Sequence, residues 1–387
     1  MGSGALISFK RDLDDAIPGD DAVDAWIHQA NRRIQRRGFV RRPLCAVDSL
    51  ARIRQNPAMT TSLLTHFPGS FMGLPLSQSA IGSRLAVLGL PFDCGTHRTR
   101  IGARLGPSAI REQSALVRRF RPEQEGFDPI AALNAVDCGD VSVVSSQIDE
   151  AYRAIEAAVD AIAAAGAIPL SFGGDGAVTL PQLRALSRHH PGLVVLHVDA
   201  HTDAYPIDGT LPYNTATTFT HAAKEGLIDV ERSIHLGARG STYVGGVFSH
   251  TRQLGYQVWP YQSLAERGLP DLLADLQDRL EGRPVYLCWD MDFFDPSCAP
   301  GVCTPAWGGA SAREGLALLQ GLSGLRFVGF DINTVSPPHD VGGMTAFLAA
   351  TVALECLFLA CANPGANLGT NLGANLGLGP SNERSNS

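Results

Sequence analysis

The chain has 387 residues, 45% of them hydrophobic, 18% charged and 7% aromatic, with 31 Lys plus Arg against 38 Asp plus Glu and a formal net charge of -7. At about 150 residues per domain the length allows two to three units, though α/β folds often absorb as much into one. A mildly acidic, unsegregated balance argues against a nucleic-acid or membrane-surface protein.

Met1 to Leu13 lacks the basic-then-apolar layout of a secretory signal, and no run is expected to approach the ~18 apolar residues of a membrane span. The eight cysteines are scattered, some within apolar runs, which fits reduced thiols better than a disulfide framework. The expectation is a soluble, cytoplasmic globular protein.

Residues 1–80 read as a lead-in with one helix, Asp21 to Arg37, where Val23, Ile27, Ala30 and Ile34 recur at helical spacing and Arg32, Arg33, Arg36 and Arg37 suit the C-terminal end of the dipole. From residue 81 to 362 apolar runs alternate with helical stretches. Strands are predicted at Leu85–Leu90, Ile168–Phe172, Leu193–Val198, Ser233–Gly237, Val285–Trp289 and Arg326–Phe330. Helices are predicted at Ile148–Ala165, Thr179–Arg188, Pro270–Leu280, Ala312–Gly321 and Thr345–Ala362. Continuous apolar strands alternating with helices predict an α/β protein, its mostly parallel sheet covered on both faces and its chemistry at the carboxyl ends of the strands. Residues 363–387, rich in Gly and Asn, read as a disordered tail.

Two strings carry chemistry. Val198-Asp-Ala-His-Thr-Asp203 follows a strand, and its Asp199, His201 and Asp203 are spaced to project to one side. A helix-cap cluster would explain two aspartates but not the histidine between them. Trp289-Asp-Met-Asp-Phe-Phe-Asp-Pro296 repeats the arrangement with Asp290 and Asp292, while Asp295 before Pro296 forms a turn. Four carboxylates and an imidazole need a cation, and such mixed oxygen-rich ligation favours Mn, Ni, Co or Fe over structural zinc. Two bridged ions would lower the pKa of a shared water and aim it at an electrophilic carbon.

These strings resemble the ureohydrolases (arginase, agmatinase and relatives). So do Pro91-Phe-Asp-Cys-Gly-Thr96, Gly102-Ala-Arg-Leu-Gly-Pro-Ser-Ala-Ile-Arg111, Ser171-Phe-Gly-Gly-Asp175, Ala299-Pro-Gly301, Gly308-Gly309 and Gly329-Phe-Asp-Ile332 with Ser336-Pro-Pro338. The resemblance runs in order from about residue 67 to 362 and is nearest the agmatinase-like branch. It implies a three-layer α/β/α domain, a binuclear manganese or nickel centre, release of urea from a guanidino carbon, and trimers or hexamers.

Three positions depart from the family pattern. Gly176 stands where the family's Gly-Gly-Asp-His-Ser string has its first metal-ligating His. One metal position therefore keeps only Asp199, Asp203 and Asp290, while the other keeps Asp199, His201, Asp290 and Asp292. Thr215 falls where the family has an active-site His, and a hydroxyl cannot replace a proton donor of near-neutral pKa. Thr334 occupies the place of the Glu that pairs with the guanidinium, so a cationic substrate would be left uncompensated.

Together these departures predict a degenerate subunit holding one metal or none. Its resemblance to the metformin hydrolase type implies assembly with an intact ureohydrolase paralogue acting on a guanidino or biguanide substrate. An autonomous amidinohydrolase acting on an unusual guanidino compound, and a non-hydrolytic guanidino-binding protein, are the alternatives. Specificity is expected in loops over the strand ends, residues 241–251 and 335–343.

Overall fold

The apolar runs pair side by side. In the computed structural model, which describes residues 69–364 apart from 95–98, 125, 208 and 210–212, eight strands form one sheet. They are β1 (Leu85–Gly89), β2 (Val136–Asp140), β3 (Ile168–Phe172), β4 (Val194–Val198), β5 (Ile234–Leu236), β6 (Gln257–Trp259), β7 (Val285–Asp290) and β8 (Phe327–Asn333). Every neighbouring pair is parallel, in the order β2-β1-β3-β8-β7-β4-β5-β6.

The helices are α1 (Gly106–Gln113), α2 (Pro129–Leu133), α3 (Ile148–Ala164), α4 (Thr179–His189), α5 (Thr218–Lys224), α6 (Val247–Gln253), α7 (Tyr261–Arg267), α8 (Leu269–Leu280), α9 (Ala312–Gly321) and α10 (Met344–Cys361). Side chains alternate across each strand. Leu85, Val87, Leu196 and Leu287 face one core with α1, α8, α9 and α10, whereas Ala86, Leu88, Val195 and Tyr286 face a second core with α3, α4 and α5. The predicted three-layer α/β/α arrangement is the one observed.

Two expectations need correction, and a third is not tested. Residues 69–80, assigned to the lead-in, pack on the domain: Phe71 is fully buried, meets Phe172 edge-on at 5.0 Å and donates its N–H to Asp137. The helix at 21–37 and the tail from 365 lie outside the described residues, although Asn363 at the start of that tail exchanges two hydrogen bonds with the Phe327 backbone. Finally, α10 is 18 residues long with mean hydropathy 2.0, long and apolar enough to cross a membrane by length and composition. Most of it (83%) is buried in the first core, where Leu348, Leu357 and Leu359 pack. Glu355 is its charged residue, and it pairs with Arg121. A helix apolar on every side is what a core flanked on all sides demands.

β2 carries two aspartates in five residues and was not predicted as a strand. Arg111 of α1 makes it viable: Nε and Nη2 donate to the two Asp137 oxygens at 2.8 and 2.9 Å, and Nη2 also donates to Gly139 O at 3.0 Å. Both partners are almost wholly buried. Removing one member of such a pair leaves a charge uncompensated, so Arg111→Leu should cost about 3–5 kcal/mol. Urea unfolding of the purified chain checks this, and a loss below about 1 kcal/mol would show that the pair is not structural.

Candidate metal centre

β3, β8, β7 and β4 are consecutive at the centre of the sheet, so their carboxyl ends meet. There the structure brings together all five residues expected to hold metal. Asp199, Asp203, Asp290 and Asp292 are 1–6% exposed. Asp199 lies between two groups. Its Oδ1 faces His201 Nδ1 at 3.2 Å, which in turn lies 3.5 Å from Asp292 Oδ2. Its Oδ2 faces His197 Nε2 at 2.9 Å.

Candidate ligand atoms of Asp199, His201 and Asp292 lie within 4.8 Å of one another, as do those of His197, Asp199, Asp203 and Asp290. The first set matches the position expected to be better preserved, except that Asp290 groups with the second. Asp203 reaches its place with φ +44°, a left-handed conformation that Asp tolerates better than most residues.

The electrostatics of the bare site call for positive charge. Burial, reinforced by the Asp199 charge, drives Asp203 and Asp290 well above the ordinary carboxylate range and pushes Asp292 up to about 6. Burial would also raise Asp199, but His197 and His201 override it and hold that carboxylate well below its usual value. Against the downward push of burial, Asp292 and Asp199 raise His201. Four buried carboxylates that otherwise compete for protons are a donor set that a divalent cation satisfies. In addition, Asp199 Oδ2 accepts no hydrogen bond among the described residues. The residues present therefore fit a metal ion, which when bound would supply Lewis acidity and an acidified water.

This pattern sets a pH dependence. Asp203, Asp290, Asp292 and His201 all have raised folded-state values, so each stabilises the metal-free fold at low pH and loses that contribution as pH rises through its folded value. Asp199 is depressed, so its contribution is already present above about pH 4 and stays constant beyond it. Metal-stripped protein should thus melt at a higher temperature at pH 5 than at pH 8, and a divalent cation should restore the loss at pH 8. Calorimetry checks both; a melting point rising from pH 5 to pH 8 without metal would contradict the assignment.

Two of the three departures, Thr215 and Thr334, line one cavity of about 210 Å³ together with Asp175, His201, Asp203 and Cys303, with Ile101, Tyr205 and Tyr243 nearer the exterior. A Cβ placed on Gly176 would lie 2.9 Å from Asp203 Oδ2, 3.0 Å from Thr215 Cγ2 and 3.7 Å from Asp290 Oδ2. Position 176 thus looks directly onto the second ligand group.

Thr334 has φ +68°, an outlier for a β-branched residue, and its hydroxyl is spent on the backbone. It donates to Asn333 O at 2.6 Å and accepts the N–H of Met291, the residue between Asp290 and Asp292, at 3.0 Å. Asp175 accepts from Cys94 N–H and Sγ at 2.8 and 3.0 Å and caps the turn at Gly176.

Sequence reasoning missed His197, His235 and Cys288, all about 1% exposed. His197 was read as one more position in an apolar run, yet it shares strand parity with Asp199, as Cys288 does with Asp290. Two residues apart on a strand means one face, and that signal was available. The loop expected at 241–251 is partly helical, since α6 begins at Val247; from it Thr251 and His250 bond Ala204 O beside Asp203, His250 Nδ1 at 2.9 Å.

A buried carboxylate–imidazole centre at the carboxyl ends of a parallel α/β sheet defines a metallohydrolase-type site. The model of the arginase family matches residues 83–359, most of this chain, and the chain belongs to that family, as an agmatinase-like ureohydrolase. Human mitochondrial guanidino acid hydrolase is 37% identical over 296 residues, 76% of this chain and 82% of that protein. Guanidinopropionase of Pseudomonas aeruginosa is 38% identical over 291 residues, 75% of this chain and 91% of that one. Among solved structures, proclavaminate amidino hydrolase from Streptomyces clavuligerus superposes with a TM-score of 0.73 at 34% identity, covering 77% of this chain and 98% of that one.

Proposed function

We propose that this chain is the accessory subunit of a heteromeric guanidino or biguanide hydrolase of the metformin hydrolase type, in which an intact ureohydrolase paralogue carries manganese or nickel and performs the urea-releasing step. The observation that carries the reading is that a residue without a side chain, Gly176, stands beside Asp203 and Asp290. Gly176 offers no ligand there, and the neighbouring Thr215 presents a methyl group 3.0 Å from the Gly176 Cβ position.

The missing clamp supports it too. A guanidinium approaching bound cations needs an anionic partner, whereas the Thr334 hydroxyl is neutral and already engaged. Carboxylates kept at the strand ends are consistent with a scaffold role, because they also organise turns: Asp199 Oδ1 accepts the His201 N–H at 2.7 Å and Asp292 accepts the Ala200 N–H at 3.3 Å.

Co-expression with an intact paralogue tests the proposal. The expected result is a hetero-oligomer by native mass measurement that releases urea from guanidino or biguanide substrates, neither chain matching it alone. A catalytic partner equally active without this chain would overturn the reading.

A second reading, an autonomous amidinohydrolase with an altered centre, draws on the close grouping of Asp199, His201 and Asp292. That set supports one ion and a bound water, and it predicts urea release by this chain in isolation.

A further inference from the structure

The two strings that carry the metal-binding residues are tied together by a side chain that belongs to neither. β5 ends at Leu236, and Gly237 turns the chain with φ +106°. A Cβ at Gly237 would stand 2.5 Å from the Phe293 ring and 2.8 Å from Asp199 O, so the turn packs against both strings and brings Arg239 over the ends of β4 and β7. There the Arg239 N–H donates to Ala200 O at 2.8 Å, between Asp199 and His201. Its Nη2 donates to Asp292 O at 2.7 Å, to Ala306 O at 2.8 Å and to Phe294 O at 3.2 Å.

These bonds converge on Asp292. Arg239 holds the Asp292 main chain directly, and through Ala306 it holds the loop from which Thr304 Oγ1 donates to Asp292 Oδ2 at 3.0 Å. The other carboxylate oxygen accepts the Ala200 N–H at 3.3 Å, from the residue whose carbonyl takes the Arg239 N–H. Gly309 leaves room for the guanidinium, since a Cβ there would stand 2.6 Å from Arg239 Cζ.

A guanidinium that merely braced a loop would settle where its own donors were satisfied. Arg239 Nε and Nη1 are instead buried without a hydrogen-bond partner among the described residues, while Nη2 serves three carbonyls. Unpaired buried donors are unfavourable, so the side chain is placed by the Asp292 string at the expense of its own hydrogen bonding.

We infer that Arg239 is a positioning residue for a divalent ion at Asp199, His201 and Asp292, an assignment that rests on the candidate metal centre and not on the accessory role. Ligand atoms of those three residues lie within 4.8 Å of one another, and Arg239 fixes the spacing between the two strings that supply them. None of its hydrogen bonds reaches Asp203 or Asp290. Groups that orient ligands from behind commonly contribute 10–100-fold to metal affinity.

Cobalt binding by the full chain, stripped with chelator and titrated with Co2+, tests this. Arg239→Met, shown folded by circular dichroism, should bind Co2+ at least tenfold more weakly than the unaltered chain. Its bound ion should also show an altered visible d–d spectrum, because a displaced Asp292 changes the coordination, whereas a purely structural bond would leave that spectrum alone. Thr304→Val should weaken binding too, and the two losses should fall short of adding, since Arg239 acts partly through the loop that carries Thr304. Affinity within twofold of the unaltered chain, or an unchanged spectrum, in folded Arg239→Met overturns the inference. If Arg239→Met does not fold, Gly309→Ala decides: it displaces the guanidinium and keeps the charge, and it should weaken binding several-fold, with unchanged affinity again overturning the inference.

The two proposals fail separately. An unaltered chain that binds no Co2+ would defeat the role of Arg239 and leave the accessory role standing, whereas urea release by the isolated chain would defeat the accessory role and leave the cobalt result untouched.

Discussion

Gly176→His alone should leave urea release by this chain at background, even with excess manganese or nickel. The substitution supplies an imidazole where one is missing, since its Cβ would stand 2.9 Å from Asp203 Oδ2 and 3.7 Å from Asp290 Oδ2. It must first displace the Thr215 methyl group 3.0 Å away, in a close-packed turn. Even when accommodated, it reverses only one of the three departures from the family pattern.

Thr215 still supplies no group that exchanges protons near neutrality. Thr334 still offers a neutral hydroxyl to a guanidinium, and a buried charge without a partner costs several kcal/mol. Each kcal/mol of lost transition-state stabilisation is about a fivefold loss of rate, so these two deficits together keep turnover orders of magnitude down. Steady-state urea assays on a panel of guanidino compounds check this. Full activity in Gly176→His would show that the ligand was the only deficit.

Under the accessory role proposed above, the pattern expected in the heteromer is the reverse of an active site's. Asp290→Ala in this chain should leave the rate of the heteromer within about twofold, whereas the corresponding aspartate of the catalytic paralogue should be indispensable. Asp290 sits among three other buried carboxylates, and burial together with the Asp199 charge holds it well above its ordinary range. Removing it relieves repulsion in the metal-free chain, so the fold should not suffer. If transition-state stabilisation came from this chain, the same change would reduce the rate by the 10²–10³-fold typical of losing one electrostatic stabiliser. Purified heteromers carrying the substitution in one chain at a time, compared by kcat, separate the two cases.

How much of this was legible in the sequence follows from what each segment had to satisfy. β3 and β7 are buried on both faces, so their apolar runs stand out, and the predicted limits at Ile168–Phe172 and Val285–Trp289 agree with the observed strands to within a residue. β2 is an edge strand whose aspartates depend on Arg111, a contact with a residue 26 positions away that no local pattern encodes. β6, three residues long, is too short to show a period.

The same division holds at the site. Asp199, His201, Asp203, Asp290 and Asp292 were legible because polar residues at the end of an apolar strand have no packing reason to be there. His197 and Cys288 were hidden because they lie within such strands, where a small thiol or one imidazole reads as core. Thr334 was legible as a missing Glu, but its bond to the Met291 N–H was not, because that bond joins the residues just past the ends of β8 and β7, 43 positions apart in the chain.

The central claim is that too few ligands and no anionic clamp remain for this chain to work alone. The most direct test is the metal content and urea release of the chain purified without a partner, measured on the same preparation after loading with manganese, nickel or cobalt. The account predicts no more than one ion per chain and urea at background for every guanidino compound tried. Two ions per chain with sustained turnover would contradict it.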